Sequence, residues 1–187
     1  MKKYTVLAIL LIFFIGCTNN SKISFYDYRD VIYNGKELEI GDILVKEKGK
    51  NFLSWWGHSS IVVSENMIGD FPKLGEKYYE TDIQSWTKDK RKVAILRYKN
   101  INDDFKNKLM KNLEKYKNSP YSIILSKENE EGFYCSKFIW LIYKKTFEEL
   151  GIEIDIDGNG GWLVFPYDFF ESRELTKVKL HKLKRER

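Results

Sequence analysis

Cys135 carries the most reactive side chain in this sequence, and no disulfide partner is evident for it. The 187-residue chain has two cysteines, and the other, Cys17, is predicted to carry a lipid. Exported proteins usually pair their cysteines or avoid them, so a lone thiol suggests chemistry. A small buried hydrophobe is the alternative interpretation. Cys135 also falls in the first turn of a predicted helix, where free amides and the helix dipole favour a thiolate nucleophile.

A cysteine nucleophile is normally activated by an imidazole, and the sequence offers only His58 and His181. His181 lies in the basic segment 177–187, where positive charge opposes formation of an imidazolium. His58 begins an apolar strand directly after Trp56 and Gly57, and Gly57 leaves room beside the ring. For a single histidine considered by itself, a residue without a catalytic role is the better hypothesis. Its pairing with a lone exported cysteine favours His58 as the base.

An acidic residue is expected to orient the imidazole. Glu80 and Asp82 are two residues apart on a predicted strand, so both point to the same face. Glu80 is preferred and Asp82 stays open, while a solvated acidic face is the alternative. Trp56 and Tyr134 are the predicted substrate-binding residues, because they flank the base and the nucleophile. Backbone amides at the helix start are the expected oxyanion donors.

Metal binding is not predicted. Asp155, Asp157, Asn159 and Gly160 match the first half of a calcium loop, but the final position, which requires Glu, falls on Pro166. A polar turn is the better interpretation. One histidine, one cysteine and scattered carboxylates do not form a zinc pattern either. We therefore expect no metal and no other cofactor.

The N-terminus resembles a bacterial lipoprotein signal. Lys2 and Lys3 precede the apolar run 6–15, and Gly16 precedes Cys17. The apolar run is shorter than the roughly 18–20 residues of a membrane span. We predict a signal peptide over 1–16, a lipidated cysteine and tether over 17–24, and one domain over 25–187. The protein is then exported and lipid-anchored to the membrane of the bacterial cell envelope.

Nucleic acid is an improbable partner. The formal net charge of +5 includes the two signal lysines, and the main basic run is confined to 177–187. The aromatic residues do not alternate with a basic stripe. An exported, mildly basic protein with one core of ordinary domain size fits an envelope function better. The oligomeric state is left open.

The elements that must position these side chains follow from hydrophobic periodicity and turn residues. Strands are followed by helices and a last strand, which predicts an α+β domain with a small antiparallel sheet packed on helices. Strands are predicted over 43–48, 59–64, 77–83, 93–98 and 176–183, and helices over 25–33, 105–116, 134–150 and 166–172.

Six motifs in order resemble the circularly permuted, NlpC-type papain-like superfamily, in its YiiX/YaeF-like branch. They are Gly41-Asp42-Ile43-Leu44, Gly57-His58-Ser59-Ser60-Ile61, Tyr79-Glu80, Tyr134-Cys135-Ser136-Lys137-Phe138-Ile139-Trp140, Ile154-Asp155-Ile156-Asp157 and Pro166-Tyr167-Asp168. The resemblance implies a permuted papain-like fold with histidine before cysteine. It also implies Cys135 as nucleophile, His58 as base and Glu80 as third residue. Lys137 departs from the residue expected in many relatives.

The resemblance further implies a cysteine peptidase or amidase that acts through a thioester intermediate. The leading hypothesis for the substrate is an amide bond of a peptidoglycan-type peptide, because the anchor keeps the enzyme at the envelope. A lipid-directed acyltransferase or amidase acting on an acylated small molecule is the first alternative. A non-catalytic envelope-binding lipoprotein is the second.

Overall fold

The computed structural model of the chain describes residues 23–50, 54–73, 75–123 and 126–183. The predicted signal peptide and most of the predicted tether lie outside these residues. The helices are α1 (Tyr28–Tyr33), α2 (Ile83–Trp86), α3 (Asp103–Tyr116) and α4 (Cys135–Leu150), with short 3-10 turns at Gly35–Glu37 and Asp168–Phe170. The strands are β1 (Ile43–Lys46), β2 (His58–Ser64), β3 (Met67–Asp70), β4 (Tyr79–Asp82), β5 (Val93–Tyr98) and β6 (Leu175–Lys177).

The described strands form one antiparallel sheet in the order β4-β3-β2-β1-β5-β6. β2 and β3 are joined by a tight turn in which Asn66 has φ of 59°, a left-handed conformation that Asn tolerates better than most residues. On three adjacent strands, Lys46 of β1 lies opposite both His58 of β2 and Val93 of β5. These three residues therefore mark one end of the sheet.

Each face of the sheet has its own core. Because strand side chains alternate between faces, Ile43 and Ile61 pack on the side of α3 and α4, while Leu44 and Val62 pack on the opposite side. The second core is completed by Tyr26, Val31, Leu38, Ile83, Trp86 and Leu180. The main core is the helical side, and it includes a dense group of aromatic rings.

Helix α4 is the central element of the fold. Its residues 136–143 are all buried, so both the sheet and α3 cover it. The Tyr143 hydroxyl donates to the carbonyl oxygen of Gly41, which ties the helix to the start of β1. Gly151 ends the helix in the left-handed conformation, with φ of 68°, as glycine commonly does. The start of α4 is thereby held at a fixed position relative to β2.

The α+β prediction is confirmed, and most elements lie within a few residues of their predicted bounds. The prediction missed the four-residue helix α2, and it differs from the structure in three further places. β3 was not predicted, the segment after Pro166 forms a 3-10 turn and not a longer helix, and the last strand stops at Lys177. In the described part of the chain, no helix is long and apolar enough to cross a membrane.

A buried ion pair ties the neighbouring strands β1 and β5 together. Asp42, whose side chain is fully buried, accepts hydrogen bonds from Arg97 Nε at 2.7 Å and Arg97 Nη2 at 2.8 Å. Asp42 also accepts from the backbone amide of Glu39 at 2.9 Å, and the Glu39 carboxylate pairs with both Arg97 and Lys106. The bidentate geometry is the favourable form of an arginine–carboxylate contact.

We predict that Arg97→Met lowers the free energy of unfolding by about 3 kcal/mol, because it leaves a carboxylate buried without its partner. Urea denaturation measures the loss. Lys108→Met, which removes a solvent-exposed pair with Asp104, should cost much less. The double variant Asp42→Asn/Arg97→Met should recover part of the stability. Equal losses for Arg97→Met and Lys108→Met would contradict this account.

Candidate active site

The sulfur of Cys135 lies at the start of α4, in a turn fixed by its neighbours. Tyr134 is the N-cap residue, with extended φ and ψ of −119° and 170°, and no side chain caps the helix. The Tyr134 hydroxyl accepts from the amide of Val164 at 3.1 Å, and Ser136 Oγ donates to the carbonyl of Val164 at 2.7 Å. The first-turn amides of α4 are therefore free of a side-chain cap and point to where an anion is favoured.

The loop before the nucleophile is held by the buried Lys137. Its Nζ donates to the carbonyl of Gly132 at 3.0 Å and lies 5.4 Å from the ring centre of Phe133. Burial lowers the pKa of Lys137. A side chain at Gly132 would collide with Ser122. Gly132 therefore serves close packing of the loop before the nucleophile.

His58 is the first residue of β2 and is in hydrogen-bond contact with Cys135. Burial alone would raise the pKa of the Cys135 thiol, but the positive charge of His58, its hydrogen bond and the backbone amide of Ser59 lower it below its usual value. Burial likewise opposes the imidazolium, yet Asp70 and the Cys135 thiolate together raise the pKa of His58 to about 10. The pair therefore favours the thiolate–imidazolium form at neutral pH.

Asp70, at the end of β3, is the carboxylate that contacts the imidazole. Its Oδ1 lies 2.7 Å from His58 Nε2, which leaves Nδ1 of the ring for the sulfur. Asp70 is 4% exposed, and its Oδ2 accepts from Trp86 Nε1 at 3.0 Å and from the Tyr79 hydroxyl at 3.4 Å. Burial would raise the pKa of Asp70, but His58, Ser60 and Trp86 hold it below its ordinary value.

Glu80 does not reach His58, and the register explains why. β3 lies between β2 and β4, with Tyr79 opposite Asp70 and Glu80 opposite Gly69. Glu80 therefore points to the other face of the sheet, where it accepts a hydrogen bond from the Tyr78 hydroxyl at 3.1 Å. Asp82, the second acidic candidate, is also placed elsewhere. It caps α2 by accepting from the amide of Ser85 at 2.8 Å.

The two predicted binding residues have different surroundings. Trp56 is 46% exposed and stacks on Phe165, with ring centres 5.0 Å apart. Tyr134 is 8% exposed, and its hydroxyl holds the amide of Val164. Trp56 is thus available to a substrate, whereas Tyr134 shapes the turn at the start of α4. Gly57, with φ of 83°, packs against the ring of Tyr167, which fills the space that the sequence suggested was left for the imidazole.

The segment that resembles half a calcium loop is occupied by a lysine. Lys127 Nζ lies 2.6 Å from Asp157 Oδ2 and 3.4 Å from Asp155 Oδ2. Asp155 also accepts from Trp140 Nε1 at 2.7 Å. These contacts connect the loop at 126–131 to the segment after α4. The positive charge beside Asp155 and Asp157 is therefore the Lys127 ammonium.

The site built from Cys135, His58 and Asp70 can be compared with known proteins. A model of the permuted papain-like amidase enzymes, YaeF/YiiX, the C92 family, matches residues 30–178. The chain belongs to this family. It is thus a papain-like cysteine amidase or peptidase by class. A search of curated proteins finds no match.

A solved structure shares the fold at low sequence identity. It is the crystal structure of the metalloprotein YiiX from Escherichia coli O157:H7, with a TM-score of 0.57 and 17% identity over 76% of this chain and 97% of that one. At this identity the similarity shows the fold alone. Within the residues described here, no group of three or more His, Cys, Asp or Glu side chains is placed to hold a metal ion.

From the sequence, no role in the site was assigned to Asp70, Trp86, Tyr79 or Tyr121. The Tyr121 side chain lies near the nucleophile, and burial together with the negative charges of Cys135 and Asp70 raises its pKa. One signal for Asp70 was present. Glu65-Asn66 is a two-residue turn of the kind that joins adjacent strands, so Met67 to Asp70 could have been assigned as the partner of β2.

We predict that Asp70→Asn lowers the pKa of His58 clearly below 10, because the amide removes the charge that favours the imidazolium. An NMR titration of the imidazole measures the shift, with His181→Ala used to assign the signals. The alkylation rate of Cys135 across pH gives a second readout, since losing the imidazolium should reduce the thiolate fraction at neutral pH. Glu80→Gln, the same change on the other face of the sheet, should leave both profiles as in the wild type. A shift in Glu80→Gln but not in Asp70→Asn would restore Glu80 as the third residue.

Proposed function

We propose that the protein is a cell-envelope cysteine hydrolase in which Cys135 is the nucleophile, His58 the base and Asp70 the group that orients the base. One observation carries the proposal, namely the continuous chain of contacts from the buried Asp70 carboxylate through the His58 imidazole to the Cys135 thiol. The His58 imidazolium lies between two negative groups, the Asp70 carboxylate and the Cys135 thiolate. The thiolate is therefore favoured before substrate arrives. A thiol with only a structural role has no need of this arrangement.

The reaction follows from the positions of these groups. The Cys135 thiolate attacks the carbonyl carbon of an amide, and the carbonyl oxygen becomes an oxyanion. The uncapped amides at the start of α4, including that of Cys135, are the donors that stabilise it. His58 then gives its proton to the departing amine nitrogen, and the C–N bond breaks to leave a thioester. Water, deprotonated by His58, releases the acid and regenerates the thiol.

The substrate we favour is an amide bond in a peptidoglycan-type peptide. An enzyme anchored in the envelope meets cell-wall peptides at high local concentration. A second candidate, an acyl-lipid amide or ester, is favoured by the exposed aromatic side chains of Trp55 and Trp56 in the turn that precedes His58. With such a substrate the same thioester could pass its acyl group to a nucleophile other than water.

Mass spectrometry of the trapped intermediate tests the reaction. We expect brief incubation with peptidoglycan fragments, followed by acid quenching, to add one acyl group to Cys135. Cys135→Ala should carry no adduct, and His58→Ala should reduce turnover by about 100-fold or more, as expected for loss of a general base. His181→Ala is the matched histidine control and should behave as the wild type.

Two further outcomes discriminate between the candidates. If acylated lipids label Cys135 and cell-wall fragments do not, the lipid-directed alternative holds. If no probe acylates Cys135, although alkylation shows a reactive thiol that depends on His58, the substrate belongs to another class of acyl compound. An inert thiol that is indifferent to His58 would support a binding lipoprotein without catalysis.

The membrane anchor is a separate part of the proposal. It rests on the lipoprotein-like sequence that ends in Gly16-Cys17. We expect a fatty-acid analogue fed to cells to label the full-length protein, and Cys17→Ala to abolish the label, because the thiol at 17 is the attachment point. Cys135→Ala serves as the control, since it removes the other thiol and should leave the label intact. Persistent labelling of Cys17→Ala would exclude this anchor.

A further inference from the structure

We propose that the mouth of the active site is a docking surface for an anionic membrane, formed by exposed tryptophans and by a basic turn at the same end of the sheet. This surface role is separate from the proposed reaction. It holds or fails whatever the thiol hydrolyses.

Three exposed tryptophans belong to the loops that meet at the nucleophile. Trp55 is 58% exposed and Trp56 46% exposed, in the turn that leads into His58. Trp162 is 87% exposed and lies two residues before Val164, which is hydrogen-bonded to both Tyr134 and Ser136 beside the sulfur. Indole side chains prefer the boundary between lipid and water, where a flat ring meets both polar and apolar surroundings. We call this group the tryptophan rim.

The tryptophan rim is accompanied by positive charge. Lys88, Lys90 and Lys92 are exposed in the turn that leads into β5 at Val93, and Val93 marks the same end of the sheet as His58. Lys48 is also exposed there, with its Nζ 4.6 Å from the ring centre of Tyr167. Nearby Asp27 and Asp89 are ion-paired with Arg29 and Arg91, and Glu47 adds one negative charge. The lysines therefore present a net positive surface, which anionic headgroups attract.

The N-terminal segment enters the fold at this end as well. Tyr26 pairs with Val93 through backbone hydrogen bonds of 2.8 and 2.9 Å. Phe25 packs on Tyr167, with ring centres 6.1 Å apart, and Tyr167 in turn contacts Gly57 beside the rim. The ten residues from Cys17 to Tyr26 are joined by nine Cα–Cα steps, which reach at most roughly 30 Å when fully extended. A lipid on Cys17 would thus keep this end of the sheet close to the bilayer, so the occupant that best fits the surface is the membrane itself.

Vesicle binding tests the surface without the lipid anchor. Residues 18–187 retain both described cores, whose members lie between residues 26 and 180, so this chain should fold. We expect it to co-sediment with phosphatidylcholine vesicles that contain phosphatidylglycerol, and much less with phosphatidylcholine alone. Raised salt should weaken the binding, because screening reduces the attraction between lysines and lipid. The emission of the exposed tryptophans should shift to shorter wavelength on binding, whereas Trp86 and Trp140 are already buried.

Matched variants locate the contact. Trp55→Ala and Trp162→Ala should each weaken partitioning by about tenfold, while Tyr33→Ala should not. Tyr33 is a 67% exposed aromatic residue two positions from Gly35, which lies against Asn66 at the other end of the sheet. Lys92→Gln should weaken partitioning about fivefold. Lys99→Gln, at the opposite end of β5, should have little effect.

Several results would overturn the proposal. These are an absence of binding to anionic vesicles, equal losses in the rim variants and their controls, or binding to an anionic cell-wall polymer that vesicles do not compete for. The alkylation profile of Cys135 is measured on the same samples. A reactive, His58-dependent thiol in a chain that ignores vesicles would refute the docking surface and leave the hydrolase proposal standing. Vesicle binding by a chain with an inert thiol would support the docking surface and refute the hydrolase proposal.

Discussion

Asp70 is almost completely removed from water, and a carboxylate in such a place remains ionised only where the fold supplies hydrogen bonds and a positive partner. Trp86, Tyr79 and Ser60 supply the hydrogen bonds, and His58 supplies the charge. This constraint extends to the nucleophile. Because Asp70 favours the imidazolium, His58 can in turn favour the thiolate of Cys135. The ionisation of these three groups is thus a single linked state.

The donors around Asp70 are fixed by other parts of the structure. Trp86 belongs to α2, whose start is capped by Asp82. Its ring is covered by the Lys46 ammonium at 4.1 Å, and its carbonyl accepts from the same ammonium at 2.7 Å. Lys46 also pairs with Asp89. The site therefore depends on polar contacts that reach from β1 to the turn before β5, and not on the three reacting groups alone.

The sequence was sufficient for the fold class, for the family and for the pairing of a lone cysteine with one of two histidines. Periodicity located α3 and α4 well, because each has a broad apolar face and clear end signals in Asn102 and Gly151. The acidic residue required knowledge of which strands are neighbours. Because the four-residue β3 was not predicted, β4 was expected to be the neighbour of β2. In that predicted arrangement, Glu80 was a reasonable partner for His58.

Short strands are difficult to predict because four residues contain little periodicity, and a glycine inside one further weakens the pattern. In β3 that glycine has a structural reason, since Gly69 lies against Val63 and the ring of Tyr78. The lone Asp70 was equally hard to identify from composition. Its role arises from burial and from Trp86, which lies 16 positions further along the chain and belongs to an element of only four residues.

The His58–Asp70 contact depends on local structure, whereas the His58–Cys135 contact depends on the tertiary fold. His58 and Asp70 belong to one hairpin and are 12 positions apart, so their contact forms whenever β2 and β3 pair. Cys135 arrives from a helix and lies 77 positions after His58 in the chain, and its distance from His58 is set by the packing of α4 on β2. The backbone amide of Ser59, which points to the sulfur, is part of that same packing. Reactivity of the thiol is therefore a direct measure of how well the helix is seated on the sheet, and a core substitution beneath α4 would change it without touching any of the three groups.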